Sequence, residues 1–353
     1  MLFSSKNKGY YLEQTEHAWL LARTSTPELP FVVEELREIP LTETAALTEA
    51  LTAIQPKRNP TGYLHAKCAV YPQKRLVRRA TLELKRIKEP TYLNEVCTQQ
   101  FRIEPEKYTM HVLNANDGQD FDLNKASTKE VLFCGLPTDD IVEIQNALLE
   151  RGIYPERLEL GTVGTLGAIA DYLEFSKTKT PTLVLELGRD ATHSYIVAAE
   201  GVEASRPIPQ GIEAMVPVVQ KELGLKDEES AKKLFYSDTF DFTGMGPQLI
   251  KRLLKELQSS IGFYEVQTGQ SIGQVVCTLL PPKLGWLEAS IANSLGVGVL
   301  KMDFIPWLQS QQITVSDHAT KGGLDARWLG LLASLARYNP PEAAHAVAAE
   351  KKD

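Results

Sequence analysis

The residues able to do metal or nucleophilic chemistry are few and scattered. Four cysteines, Cys68, Cys97, Cys134 and Cys277, stand far apart with no CxxC spacing. Cys68, Cys134 and Cys277 fall in apolar, strand-like runs, which predicts buried thiols rather than disulfides or zinc ligands. The six histidines form no HxxxH or HExxH pattern, so no metal site is expected. No Ser/His/Asp or Cys/His arrangement suggests a catalytic centre either. The densest cationic stretch, Lys74 to Lys88, sets Arg75, Arg78, Arg79, Lys85 and Arg86 among Leu76, Val77, Leu82, Leu84 and Ile87. That alternation reads as the wet face of strands; a docking site for an acidic partner is the other reading.

The elements that position these residues can be read from periodicity and punctuation. Three strands open the chain, at Gly9–Gln14, His17–Thr24 and Phe31–Ile39, followed by a helix at Thr42–Ile54. Strands near Tyr63–Tyr71 and Leu76–Leu84 come next. A smaller unit then runs helix Tyr92–Phe101, strand Lys107–Leu113, loop Asn114–Gln119, strand Glu130–Leu136, helix Thr138–Arg151. Thr138 or Asp139 would cap that helix, with Gly152 past its end. Strand Arg157–Leu160 leads into helix Val163–Phe175. The second half repeats the order: strands Thr182–Leu187, Thr192–Ala199 and Val202–Ile208, then helices at Ile212–Leu223, Asp227–Phe235 and Pro247–Gln267. In the last, Leu249, Leu253, Leu257 and Ile261 share one stripe, a buried face. Strand Gln274–Thr278, helix Lys283–Leu295, strand Gly298–Met302 and helix Asp325–Tyr338 complete the pattern, and the Ala-rich, charged tail Pro340–Asp353 reads as loose. Three strands and a helix occurring twice imply two related α/β lobes with a cleft between them.

Composition narrows the functions. The chain has 353 residues, 38 Lys+Arg against 45 Asp+Glu and a formal net charge of −7. That length suits two domains or one large divided one, and the acidic balance disfavours a broad nucleic-acid surface, which needs clustered cations. The N-terminus lacks the apolar core and cleavage site of a signal peptide, and no window approaches a bilayer span, so a cytoplasmic protein is expected.

The duplicated order resembles the superfold shared by actin, the heat-shock chaperone ATPases and the sugar kinases, a ribonuclease-H-like duplication. Within it the sequence is most similar to PilM, the actin-like family of type IV pilus assembly, and more distantly to FtsA. Leu183–Val197 is similar to the family's second phosphate hairpin. Arg206, Ile208 and Gly211 stand in the place of its Arg-x-Ile-x-x-Gly-Gly, and Leu329–Arg337 resembles its C-terminal helix. The resemblance implies a two-lobed α/β fold: a first lobe over 1–85 and 155–176, an inserted small α/β subdomain over 86–154, a second lobe over 177–339 and a tail over 340–353.

It also implies where a nucleotide would sit, because the superfold holds ATP in Gly-containing hairpins whose backbone N–H groups reach the phosphates. Here the first hairpin, Tyr11–Glu16, has no glycine; Glu13, Gln14 and Thr15 stand in its place. The second keeps Gly188 and Thr192 but has Glu186 for the usual Asp, with Arg189 and Asp190 at its tip. Leu279-Leu280 replace the Gly-Gly turn, Ile212 follows Gly211 where a second glycine belongs, and Lys232 lies in a degenerate nucleotide-touching segment. Glu13 and Glu186 could still hold a metal, being one methylene longer than Asp. Arg189 would point to solvent or pair with Asp190; Gly188 could serve a tight bend and Thr192 a strand start. The expectation is a vestigial site: no catalytic residues, no cofactor, with ATP and magnesium as the open alternative.

The function this implies is a scaffold at the cytoplasmic face of the inner membrane, in a pilus or type II secretion platform. It would bind the cytosolic N-terminal peptide of a PilN-like membrane protein, with self-association possible and the membrane reached only through that partner. The alternative is an ATP-binding actin-like protein whose assembly follows its nucleotide state.

Overall fold

The structure is a computed structural model that describes residues 8–56, 61–123, 129–237 and 239–337. The first residues read for a signal peptide, and the tail Pro340–Asp353 expected to be loose, lie outside the described residues. Strands in chain order are β1 (Gly9–Gln14), β2 (Ala18–Thr24), β3 (Phe31–Pro40), β4 (Leu64–Val70), β5 (Leu76–Thr81), β6 (Tyr108–Asn114) and β7 (Glu130–Pro137). They continue as β8 (Ile153–Leu160), β9 (Thr182–Leu187), β10 (Thr192–Ala198), β11 (Gly201–Ile208), β12 (Gln274–Thr278), β13 (Gly298–Val299) and β14 (Ile313–Val315).

The chain divides into two compact units. The first takes Met1–Arg75, Leu136–Ala168 and Asp303–Asp353; the second takes Leu76–Gly135 and Ile169–Met302. The sheet of the first unit runs β14-β3-β2-β1-β4-β8, and the larger sheet of the second runs β11-β10-β9-β12-β13. Apart from β14, these are one topology drawn twice. In each, the first three strands form an antiparallel meander and the fourth and fifth add parallel to the first strand's other side. Parallel additions need a crossover, which is why helix Thr44–Ile54 intervenes before β4 and a run of helices before β12.

Each sheet buries a helix-covered face. In the first unit Leu12, Trp19, Leu21 and Cys68 pack with Leu47, Ala50, Leu51 and Ile54 of helix Thr44–Ile54. In the second unit the stripe Leu249, Leu253 and Leu257 of the Gly246–Leu249 and Lys251–Thr268 helices packs under β9 and β12. Each leucine or isoleucine among them contributes about 1.5–3 kcal/mol on burial. Arg206 fastens β11 to the same helix, with its guanidinium 2.6 Å from Glu256 Oε2 and donating to Ser260 Oγ at 2.7 Å.

The structure departs from the sequence reading in several places. The small sheet β5-β7-β6 begins at Leu76, ahead of the boundary expected at 86, because β5 pairs antiparallel with β7. Helix Thr138–Glu150 and β8 rejoin the first unit. Thr138 does not cap its helix; it is the first helical residue, Pro137 precedes it, and no side chain caps the turn. The Tyr92–Phe101 segment winds as one α-turn and one wider π-type turn, stopped by Arg102 at φ 59°. The chain after Met302 forms two elements not foreseen, helix Phe304–Ser310 and β14, and β14 extends the first sheet beside Phe31–Val33 instead of staying with the second lobe. Arg75 is not on a wet face: it is 7% exposed, while Arg78 lies over the Phe101 ring at 5.7 Å. The thiols of Cys68, Cys134 and Cys277 are free and buried as expected, and that of Cys97 is free and buried too.

Candidate functional site

The β1–β2 hairpin carries Glu13, Gln14 and Thr15. Glu13 is 1% exposed at the end of β1. The turn that follows is closed by Thr15 from both sides. Its N–H donates to Ala18 O at 3.0 Å, and its hydroxyl donates to the same carbonyl at 3.1 Å. That hydroxyl in turn accepts from the N–H groups of His17 at 3.2 Å and Ala18 at 3.0 Å. In a phosphate loop such amides point outward to the ligand; here the threonine side chain occupies them, as in an ST-turn.

Behind this hairpin the first unit is filled by its own side chains. The Tyr71 hydroxyl shares a hydrogen bond with Thr165 Oγ1 at 3.1 Å. A Cβ on Gly161 would come within 2.3 Å of the Tyr71 ring, and one on Gly330 within 2.3 Å of both Tyr71 Oη and Glu13 Oε1. Two glycines, on helices Gly161–Phe175 and Leu329–Arg337, thus make room for one tyrosine and one glutamate. Arg75 locks the start of the first helix by donating to Thr162 Oγ1 at 2.9 Å.

The β9–β10 hairpin of the second unit is equally self-contained. Glu186 is fully buried, standing opposite His193 across the ladder. Thr192 is also buried and its hydroxyl donates to Gln210 O at 2.7 Å. Gly188 N–H closes the turn on Ala191 O at 3.1 Å. The carbonyls of Gly188 and Arg189 accept from the N–H groups of Ile212 and Glu213, each at 3.0 Å. Gly211 must be glycine for this approach, since a Cβ would lie 2.2 Å from Arg189 O.

Glu213, which the sequence reading passed over, gathers the local cations. Its carboxylate lies 2.8 Å from Lys232 Nζ and 3.7 Å from Arg189 Nε, and it accepts from the Tyr236 hydroxyl at 3.2 Å. Arg189 is half exposed, in keeping with the expected solvent-facing position, and also stands beside Glu213, a neighbour not foreseen. The structure brings Gly188, Arg189, Gly211 and Lys232 together in the second unit, while Glu13, Gln14 and Thr15 belong to the first. The available signal for Glu213 was its place two residues after Gly211, at the start of the next helix.

At the third element Leu279 adopts φ 62°, the left-handed region that glycine fills without cost. Leu279 and Leu280 are both buried, so the turn keeps a glycine-type backbone while its side chains fill the space. Just before it, Cys277 N–H donates to Glu288 Oε1 at 2.7 Å, and burial next to that carboxylate pushes the Cys277 thiol well up. Among the described residues no cluster of three or more His, Cys, Asp and Glu is placed to hold a metal.

No protein-family model matches the chain, and no curated protein matches it by sequence. Among solved structures it superposes on a chain of the PilM–PilN type IV pilus biogenesis complex with a TM-score of 0.64, at 16% identity, covering 94% of this chain and 99% of that one. A Bacteroides thetaiotaomicron protein of unknown function with an actin-like ATPase fold gives 0.45 at 9% identity, covering 95% and 98%. The ethanolamine utilization protein EutJ from Carboxydothermus hydrogenoformans gives 0.43 at 9% identity, covering 94% and 90%. The first similarity, over nearly the whole of both chains, shows that this chain shares the fold of a chain of the PilM–PilN complex, in agreement with the expected PilM-like fold.

Proposed function

We propose that this chain is a non-hydrolysing scaffold at the cytoplasmic face of the inner membrane, in a type IV pilus or type II secretion assembly platform. It docks the cytosolic N-terminal peptide of a PilN-like membrane protein and reaches the membrane through that partner. The fold shared with a chain of the PilM–PilN complex supports the platform assignment. No described helix is long and apolar enough to cross a membrane, which accords with recruitment by a partner.

The observation that carries the non-hydrolysing half is the capture of the first hairpin's amides by the Thr15 hydroxyl. The residues present do not fit an ATP–magnesium complex. The first hairpin's His17 and Ala18 amides are engaged, Glu213 pairs with Lys232 and stands beside Arg189, and leucines occupy the turn where the superfold keeps glycines. No hydrolytic step is therefore assigned to this chain. Calorimetric titration with ATP and magnesium tests the reading, with a synthetic peptide of the cytosolic N-terminus of a PilN-like membrane protein as the second titrant. Heat from the peptide and none from millimolar ATP is the expected result; micromolar ATP binding overturns it.

A further inference from the structure

The outer edge of the first sheet is only half covered. β14 is three residues long and pairs with Phe31–Val33, whereas β3 continues to Pro40. Leu41 N–H donates to His17 O on the β2 side. By the two-residue alternation of an antiparallel ladder, Ile39, Arg37 and Glu35 then bond to β2, and the main-chain groups of Leu36 and Glu38 face away from it. Thr15 N–H donating to Ala18 O fits the same phase, because it turns Ala18 toward β1 and His17 toward β3. Among the described residues no hydrogen bond reaches the outward N–H and C=O groups of Leu36 and Glu38.

The chain arches over this open stretch. At one end Ser316 N–H donates to Val33 O at 3.0 Å and Ser316 Oγ to Glu34 O at 3.2 Å. At the other, Arg327 donates to the Glu38 carboxylate at 2.9 and 3.1 Å. Between these fastenings lies a cavity of about 430 Å³, with Leu36 and Trp328 among its apolar lining and His318 and Lys321 on the arch. Glu35 is paired with Arg23 and Arg37, and Glu38 with Arg327. Lys321 has no carboxylate partner among the described residues, so the slot keeps one uncompensated cation.

We infer that this slot takes an extended segment of a partner protein as an added strand, with an acidic side chain set against Lys321. Donors and acceptors on Leu36 and Glu38 repeat at about 6.8 Å, the two-residue spacing of a strand, and a peptide main chain matches that repeat. From Glu34 to Glu38 the edge is about 13 Å long, enough for three or four extended residues. Strand addition takes its affinity from main-chain bonds and its specificity from side-chain contacts, here the charge on Lys321. The inference stands on the sheet edge alone and needs nothing from the pilus reading.

The test is nitrogen-15 NMR with amide hydrogen exchange on the full chain. The probes are a blocked pentapeptide, Thr-Val-Glu-Val-Thr, its analogue with Lys for Glu, and its backbone N-methylated form. Before titration the Leu36 and Glu38 amides should exchange freely while those of Arg37 and Ile39 are protected. With the acidic peptide, Leu36 and Glu38 should exchange about tenfold more slowly. The Lys analogue should bind about tenfold more weakly, and the N-methylated form should not bind. Lys321→Glu, at an exposed position, should reverse the ranking of the acidic and basic peptides. The inference is overturned if Leu36 and Glu38 are protected in the free protein, if no peptide shifts them at millimolar concentration, or if N-methylation changes nothing. Protection that grows with protein concentration alone also overturns it, and would make a second copy of this chain the occupant.

Discussion

The carboxylate of Glu213 sits 2.8 Å from the ammonium of Lys232, on the Glu228–Phe235 helix, and 3.7 Å from Arg189 Nε at the tip of the second hairpin. A phosphate that met those cations, as proposed for the vestigial site, would compete with this glutamate. Replacing it with an isosteric neutral amide isolates the charge. Glu213→Gln should bind inorganic pyrophosphate roughly tenfold more tightly than the parent at low salt, with the gain lost on adding salt, because the freed groups are partly exposed. Calorimetry at two ionic strengths reads this; no difference between the two proteins would sink the idea.

Gly330 holds open the space that Tyr71 and Glu13 occupy. Alanine is normally the better helix former by about 1 kcal/mol, but here its Cβ would overlap two buried oxygens. Gly330→Ala should instead lower stability by about 1–3 kcal/mol in urea unfolding. Tyr71→Phe removes one of the two oxygens and, alone, about 1 kcal/mol with its bond to Thr165. The double variant should be more stable than the sum of the two losses; strict additivity would show that the residues do not meet as described.

Leu279 holds a left-handed conformation with its side chain buried. Truncation to alanine keeps the strain and removes the burial, a loss of about 2–4 kcal/mol. Glycine loses the same contacts but relieves about 1 kcal/mol of backbone strain. Leu279→Gly should therefore be no less stable than Leu279→Ala, the reverse of the order at an ordinary position. Paired unfolding curves decide it.

Burial pushes the thiols of Cys68 and Cys134 up to about 12 and that of Cys97 to about 11, from 9.0 in an open chain. The folded protein thus keeps these protons at pH values where the unfolded chain releases them. Their stabilising contribution is whole below pH 9 and is lost as pH rises toward 12. A thiol reagent at about pH 8 should leave all four cysteines unmodified until denaturant is added. Stability should fall across the alkaline range, and rapid labelling of the native protein would contradict the burial.

Much of the fold was legible in the residues. The two meanders, the helices between them and the Leu249-Leu253-Leu257 stripe follow from alternation, glycine turns and helical spacing, all local signals. What escaped were elements whose identity depends on distant neighbours. β14 is too short to announce itself and exists as a strand because Phe31–Val33 offers it an edge. Arg75 looked like a surface cation because nothing nearby in sequence shows the Thr162 hydroxyl that receives it.

The candidate site divides the same way. The loss of glycine at Tyr11–Glu16 and at Leu279-Leu280 is written in the sequence, because a missing residue type is visible without coordinates. Where the freed donors and charges go was decided by tertiary structure. Thr15 turns back on its own hairpin, Glu213 reaches Lys232 across 19 positions, and Gly330 meets Tyr71 from the far end of the chain. Hydrogen bonds and ion pairs form between atoms close in space whatever their separation along the backbone, so sequence fixes which groups are available and folding fixes which of them are already taken.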